Sequence, residues 1–265
     1  MDQGERTAEG RRTRPSEPQP SDSQTQRATV SYYVLPETPC PYLTGHFERK
    51  LLTEITGPEA HGLYELLTRA GFRRSHRFAY RPACQGCSAC VPVRVPTADF
   101  ECRKSVKRIA KLNQDLSAIE RPALATQEHY ALFKSYLRTR HGDGEMAAMG
   151  PQEFRSMVEE TDLETRIIEF RRPDRTLVGA LLMDWLSDGA SAVYSYFSPA
   201  ETRRSLGLYM IVWLIDAARR RDLPFVYLGY WIDACQKMAY KTRFQPIEAL
   251  TDQGWQRMEA DGPPR

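Results

Sequence analysis

The stretch from Leu177 to Phe244 constrains this chain more than any other part of it. Leu177–Trp185 and Ala190–Phe197 are rich in strand-forming residues and flank the turn Ser187-Asp188-Gly189. Leu208–Ala218 follows with helical spacing, because Leu208, Ile211, Val212 and Ile215 fall on one face. Pro224–Tyr230 is a short apolar strand, and Asp233–Phe244 is expected to be a polar, basic helix with Asp233 as its N-cap. Paired strands, a crossover helix and another strand in this order predict a mixed α/β (α+β) fold with a sheet covered by helices.

The rest of the chain is arranged around that core. Residues 1–28 hold Arg, Glu, Ser, Gln and Pro with almost nothing apolar, a composition expected of a disordered tail. Phe47–Ile55 reads as a strand. Pro58–Ala70 reads as a helix with Pro58 in its first turn and Gly71 just past its end. Phe72–Pro82 alternates as a single Arg-studded strand. Lys104–Leu116, Thr126–Arg140 and Pro151–Glu160 are expected helices, His141–Gly144 ends the second of them, and Thr165–Arg171 is a strand. Arg121-Pro122 marks the expected boundary between a smaller cysteine-containing N-terminal domain (29–121) and the C-terminal core (122–250), followed by a polar tail (251–265). No apolar run approaches the ~20 residues of a membrane span, and the N-terminus lacks an apolar signal segment. A cytoplasmic protein is expected, with no membrane partner.

Net charge is only +3, but it is unevenly distributed. Between Gly71 and Lys111 ten Arg and Lys residues face only Asp99 and Glu101, a local excess of +8 suited to phosphates. Lys104, Lys107, Arg108 and Lys111 lie at i, i+3, i+4 and i+7, one cationic stripe along the expected helix.

Six cysteines in a chain of this kind are expected as thiols or ligands rather than disulfides. Cys84, Cys87 and Cys90 form C-x2-C-x2-C, and Cys40 could join them in space. Such a set can bind zinc or an iron–sulfur cluster, although no second C-x2-C pair completes a zinc ribbon. The alternative is a tight loop of small buried thiols. Cys102 and Cys235 are expected to serve packing.

The order strand, turn, strand, loop, helix, strand is that of an acyl-CoA-dependent acetyltransferase (GNAT-type) core. Arg204-Ser-Leu-Gly207 partly fits the loop that holds the CoA pyrophosphate, but Tyr209 stands where that loop needs a small residue. A second set of motifs points elsewhere. Cys84-Gln-Gly-Cys87-x-x-Cys90-x-Pro92-x-Arg94, Ser205-Leu-Gly207, Tyr227-Leu-Gly-Tyr-Trp231 and Lys237-Met-x-Tyr-Lys-x-x-Phe-x-Pro246 together resemble the aminoacyl-tRNA–protein transferases, nearest the bacterial aspartate/glutamate leucyltransferase branch related to eukaryotic arginyltransferases. The resemblance runs from about Tyr32 to Leu250. It implies a cysteine-bearing N-terminal domain, an acetyltransferase-like C-terminal domain, and transfer of leucine from leucyl-tRNA to proteins that begin with Asp or Glu, marking them for N-degron degradation. It also implies a metal or cluster site at Cys40, Cys84, Cys87 and Cys90 as one possibility.

The implied reaction is aminolysis of an ester, which needs positioning and oxyanion stabilisation more than an activated nucleophile. No cofactor is required for that step. Tyr230, Asp233 and Asp184, at the ends of expected central strands, are candidate proton relays. Each has an ordinary alternative: a core aromatic, a helix cap and an exposed strand residue. The cationic stripe at Lys104, Lys107, Arg108 and Lys111 is the candidate tRNA surface. Arg77, Arg81, Lys241 and Arg243 are candidates for the acceptor's carboxylate. The resemblance carries Lys237, Met238, Tyr240 and Lys241 over as pocket residues. The five histidines show no metal-ligand spacing. Competing readings are a CoA-dependent N-acetyltransferase, the same transfer from arginyl-tRNA, and a non-catalytic RNA-binding or metal-sensing module.

Overall fold

The computed structural model describes Met1 and residues 29–140 and 145–258; the expected tail at 1–28, the helix end at 141–144 and the last residues from 259 lie outside the described residues. The chain divides after Val30, and the architecture belongs to Ser31 onward.

An eight-stranded sheet dominates. Its centre is the expected hairpin, β10 (Leu177–Leu186) and β11 (Gly189–Phe197), and β10 pairs on its other side with β9 (Thr165–Arg171). β10 is buried along its whole length because it is covered on both faces. On one face Leu181, Met183 and Trp185 pack with α5 (Leu206–Arg219), and with Val106 of α2 (Lys104–Leu112). On the other, Ala180 and Leu182 meet Phe133 and Leu137 of α3 (Gln127–Arg140) and Phe154 and Val158 of α4 (Pro151–Glu159). Each fully buried Leu, Ile or Phe contributes about 1.5–3 kcal/mol, which is why the apolar run at 177–186 fixes the layering. α5 crosses over to β12 (Phe225–Trp231), which runs parallel to β11. The α/β architecture and the acetyltransferase-like order of hairpin, helix and parallel strand are thus as expected.

A strand from before Arg121-Pro122, and one that runs through it, belong to this same sheet. β7 (Val91–Pro96) lies between β12 and β13 (Glu248–Thr251), and β8 (Ser117–Pro122) extends the far edge against β9. The segments 29–121 and 122–250 therefore share one sheet. Trp255, expected in a tail, sits in β14 (Gly254–Arg257), the partner of β13. Arg94 of β7 stacks over Phe225 at 3.4 Å and Trp255 at 4.4 Å and pairs with Glu248 at 2.7 Å, so this arginine pins the edge instead of facing a ligand.

A second, four-stranded sheet joins β1 (Tyr32–Val34), β4 (Lys50–Glu54), β6 (Phe78–Pro82) and β5 (Arg73–Ser75). Its core residues Ile55, Phe72 and Ala79 pack with Tyr64 and Leu67 of α1 (Ala60–Arg69) and with Leu186 and Tyr227 of the large sheet. Three expectations are corrected by this half of the molecule and the segment after β12. The strand expected at Phe47–Ile55 is broken into a two-residue β3 (Phe47–Glu48), which pairs with β2 (Thr38–Pro39), and β4. The strand expected at Phe72–Pro82 is the hairpin β5–β6, turned at His76, whose φ is 54°. The helix expected at Asp233–Phe244 is a set of turns and a short 3-10 segment, Ala239–Arg243. Its buried residues Cys235, Lys241 and Phe244 do not share a helical face. A polar stretch without an apolar stripe has little to hold a full helix.

Candidate active site

The pairing of β11 with β12 is short. It runs from Gly189 opposite Phe225 to Ser191 opposite Tyr227, and then the strands part, β11 continuing to Phe197 and β12 to Trp231. At the closed end Gly189 is required, because a Cβ there would stand 2.2 Å from the Phe225 carbonyl oxygen. At the open end β11 keeps its pairing with β10 but loses β12, and an arginine enters from β5. Arg73 donates from Nη2 to the Val193 carbonyl at 3.0 Å. Its guanidinium lies against Gly229, where a Cβ would fall 1.9 Å from Nη1. Gly229, at φ 73° and beside a shift in the β12–β7 register, is the glycine that makes room for it.

The surroundings of Arg73 are aromatic and cationic. Its charge acts on the Tyr42, Tyr64, Tyr230 and Tyr240 hydroxyls and on Lys241. Lys241 is buried and donates from Nζ to the Tyr230 carbonyl oxygen. Burial first, and then the Arg73 charge, pushes its ammonium well below the usual lysine range. Among the described residues no carboxylate forms an ion pair with Arg73 or Lys241. Glu48, which also acts on Tyr42 and Cys90, is paired with Lys50 at 2.7 Å.

The candidate proton relays divide. Tyr230 is buried and its hydroxyl lies 3.0 Å from the Gly71 carbonyl and 3.1 Å from that of Tyr80, so it ties β12 to the small sheet; burial pushes the hydroxyl further up. Asp184, for which an exposed strand position was the ordinary alternative, is fully enclosed. It receives Arg74 Nε at 2.8 Å, Arg74 Nη2 at 3.0 Å and the Thr165 hydroxyl at 2.6 Å, and both charged side chains have 0% exposure. That closed pair ties β5 to β10. Asp233 caps no helix; it is exposed in the turn just after β12.

Of the candidate carboxylate partners, Arg77 is exposed and paired with Glu54 at 3.1 Å, and Arg81 is exposed over the Phe72 ring. Lys237 is exposed, and Tyr240 packs edge-on against Phe244 at 6.3 Å. Sequence reasoning does not single out Arg73. The signal is there, since Arg73 and Arg74 are adjacent on a strand and must point to opposite faces. Arg74 turns inward to Asp184, and Arg73 turns to the parting strands.

The four stripe residues Lys104, Lys107, Arg108 and Lys111 are all exposed on α2, and among the described residues none has an ion-pair partner. Beside them a cavity of about 430 Å³ opens between α2 and the start of α5, edged by Arg108, Arg203 and Arg243 with Ser105 and Ser205. Arg204, which fits the pyrophosphate-loop pattern, is already engaged by Asp115 at 2.7 Å and Glu201 at 2.8 Å. The Tyr209 ring turns away to pack edge-on against Phe170 at 5.6 Å.

The cysteines of the loop after β6 converge with Cys40. The Cys90 thiol is pushed up to about 12, by burial first and then by the neighbouring Cys40, Cys84 and Cys87. Cys84 Sγ accepts the Arg49 N–H at 3.4 Å. Among the described residues no three His, Cys, Asp or Glu side chains already stand in a metal-holding arrangement. Four soft donors of one neighbourhood nevertheless suit zinc or an iron–sulfur centre in chemistry. Cys235 is buried as expected, while Cys102 is exposed, so no packing role falls to it.

Known proteins match over most of the chain. The N terminus of the Arginine-tRNA-protein transferase family matches residues 38–108, and its C terminus matches residues 128–251. A protein of Paramagnetospirillum magneticum named aspartate/glutamate leucyltransferase is 50% identical over 226 residues, covering 85% of this chain and 93% of that one. The chain belongs to this family. A Rhodospirillum rubrum member of the same name is 50% identical over 234 residues, 88% of this chain and 95% of its own. Among solved structures, a tandem GNAT protein from the clavulanic acid biosynthesis pathway overlaps 71% of this chain and 55% of its own, at 13% identity and a TM-score of 0.39, too loose a likeness to bear on function. The N-terminal match spans the cysteine loop and the C-terminal match spans the Lys237–Pro246 block. Among the described residues no helix is long and apolar enough to cross a membrane.

Proposed function

We propose that this transferase moves leucine from leucyl-tRNA to the N-terminal α-amine of proteins beginning with Asp or Glu, and so marks them for degradation. The observation that carries this reading is 50% identity, over 85% and 88% of this chain, to relatives named for that activity. The amine nitrogen attacks the ester carbonyl carbon, a C–N bond forms, and the C–O bond to the terminal ribose breaks. The amine loses a proton and the ribose oxygen gains one. An α-amine of pKa ~7.7–8.0 is partly neutral near pH 7, so the protein's work is to position the two substrates and stabilise the oxyanion.

The reaction is assigned to the opening between β11 and β12. Asp233 is the proton relay in this reading, because it is the candidate carboxylate that is exposed and, among the described residues, without an ion-pair partner. Lys237 and Tyr240 are substrate-binding residues in this reading, with the exposed Arg77 and Arg81 as outer cations. Lys104, Lys107, Arg108 and Lys111 take acceptor-stem phosphates, an assignment supported by exposure without ion-pair partners. Arg203 and Arg243, across the cavity from Arg108, extend that surface. Cys40, Cys84, Cys87 and Cys90 would hold zinc or an iron–sulfur centre that ties the N-terminal loops together and takes no part in ester aminolysis. The cytoplasm, where charged tRNA is found, is the proposed compartment.

The test is transfer of radiolabelled leucine, and separately arginine, from charged tRNA to peptides beginning with Asp, Glu or Ala. Leucine transfer to the Asp and Glu peptides, and not to the Ala peptide, is expected. Arginine transfer instead would overturn the donor. Absence of both, with binding of acetyl-CoA, would overturn the reaction.

A further inference from the structure

Among the described residues Arg73 has no counter-charge, in a place that favours one. It is half-buried, its hydrogen bond among the described residues goes to a neutral carbonyl, and its planar fork has further N–H groups to give. A second basic side chain, Lys241, is buried nearby and likewise has no carboxylate partner among the described residues. Three other nearby arginines are matched, Arg74 by Asp184, Arg77 by Glu54 and Arg94 by Glu248, while Arg81 lies exposed over the Phe72 ring. Withdrawing a cationic group from water without a counter-charge is costly, and such a group is kept where a ligand supplies the missing charge. The site also invests in holding Arg73, through the positive-φ glycine at 229 whose missing Cβ leaves space for the guanidinium.

The missing group is an anion small enough to reach between parting strands, and the fork of an arginine matches a carboxylate. We propose that Arg73, with Lys241 beside it, binds the side-chain carboxylate of the acceptor's first residue and so sets the preference for Asp and Glu. This inference rests on the leucyl-transfer reading and names its acceptor subsite. Arg77 and Arg81, the candidates closest in sequence, lie at the surface and carry less of this role.

The experiment uses the full chain and peptides beginning with Asp, Glu, Asn or Gln, with leucyl-tRNA as donor. Arg73→Gln is expected to raise KM for the Asp and Glu peptides on the order of 100-fold and to bring the Asp:Asn ratio of kcat/KM near unity, with KM for leucyl-tRNA unchanged. Arg73→Lys is expected to keep an intermediate preference. Arg219→Gln, on the exposed end of α5, is the control expected to match wild type. A folded Arg73→Gln protein that keeps the wild-type Asp:Asn ratio overturns the proposal, and so does a fall in kcat with that ratio intact. Should Arg73→Gln fail to fold, the wild-type protein decides by footprinting. Phenylglyoxal modification of Arg73, read by peptide mass spectrometry, is expected to be blocked by an Asp-Ala dipeptide and not by Asn-Ala. Equal modification in both overturns the proposal. Wild-type protein that transfers no leucine to any peptide would sink the reaction reading, while the dipeptide footprint would still answer for Arg73.

Discussion

Replacing Asp184 with Asn tests whether this carboxylate serves the fold or the chemistry. Asp184 and Arg74 are withdrawn from solvent completely, and three donors converge on the carboxylate at 2.6, 2.8 and 3.0 Å. The amide of Asn removes the negative charge and turns one acceptor into a donor that faces another donor. The guanidinium of Arg74 then remains buried and uncompensated. Breaking such a pair from one side costs about 3–5 kcal/mol. For a protein of this size, where 1 kcal/mol moves Tm by about 2–4 °C, a drop of roughly 10 °C is expected. Urea unfolding followed by circular dichroism should give the free energy directly, provided the transition is two-state. The double variant Asp184→Leu with Arg74→Met should recover much of the loss, since replacing both partners by apolar groups is often near neutral. The reasoning is refuted if Asp184→Asn unfolds within about 1 kcal/mol of wild type. It is refuted equally if transfer is abolished at unchanged stability, which would return Asp184 to the reacting centre.

Two further predictions follow from the site. Changing Lys104, Lys107, Arg108 and Lys111 to Gln should weaken leucyl-tRNA binding while leaving KM for the peptide unchanged. The slope of log affinity against log salt should fall by about 0.7–0.9 for each phosphate that is no longer neutralised, and an unaltered slope would remove α2 from the tRNA surface. Lys241→Met tests the buried amine through pH. The folded-state pKa of Lys241 is lowered, so between that value and its unfolded value of ~10.4 the unfolded chain binds the extra proton. Wild type should therefore gain stability relative to Lys241→Met as pH rises from 7 toward about 10, and a difference that does not change with pH would mean that the ammonium stays charged in the fold.

How much could be read before the fold was seen depended on whether a signal was local. The β10–β11 hairpin and α5 were legible because long apolar runs with a definite period have few alternatives. β7 was not, because Pro92 and Pro96 argue against a central strand. The fold seats them opposite Tyr230 and Phe225, and β13 pairs only at Val93 and Arg94, between the two prolines. The α2 stripe was legible because i, i+3, i+4 spacing places its charges on one exposed face. Lys241 was carried by a motif, yet its burial and lowered pKa come from packing against β12.

The sequence by itself determined that the chain is mixed α/β, that its cations gather between Gly71 and Lys111, and that its motifs are those of aminoacyl-tRNA–protein transferases. Periodicity, charge and motif are properties of neighbours in the chain, so the chain displays them. Only the tertiary structure decided which of those cations are spent. Arg74, Arg77 and Arg94 are matched by Asp184, Glu54 and Glu248, the first and last of these more than a hundred residues away. Arg73, one residue from Arg74, is left between two strands that separate after Ser191, without a carboxylate of its own. Charge compensation in a folded protein is set by distance in space, and the sequence order of the acids does not reveal it.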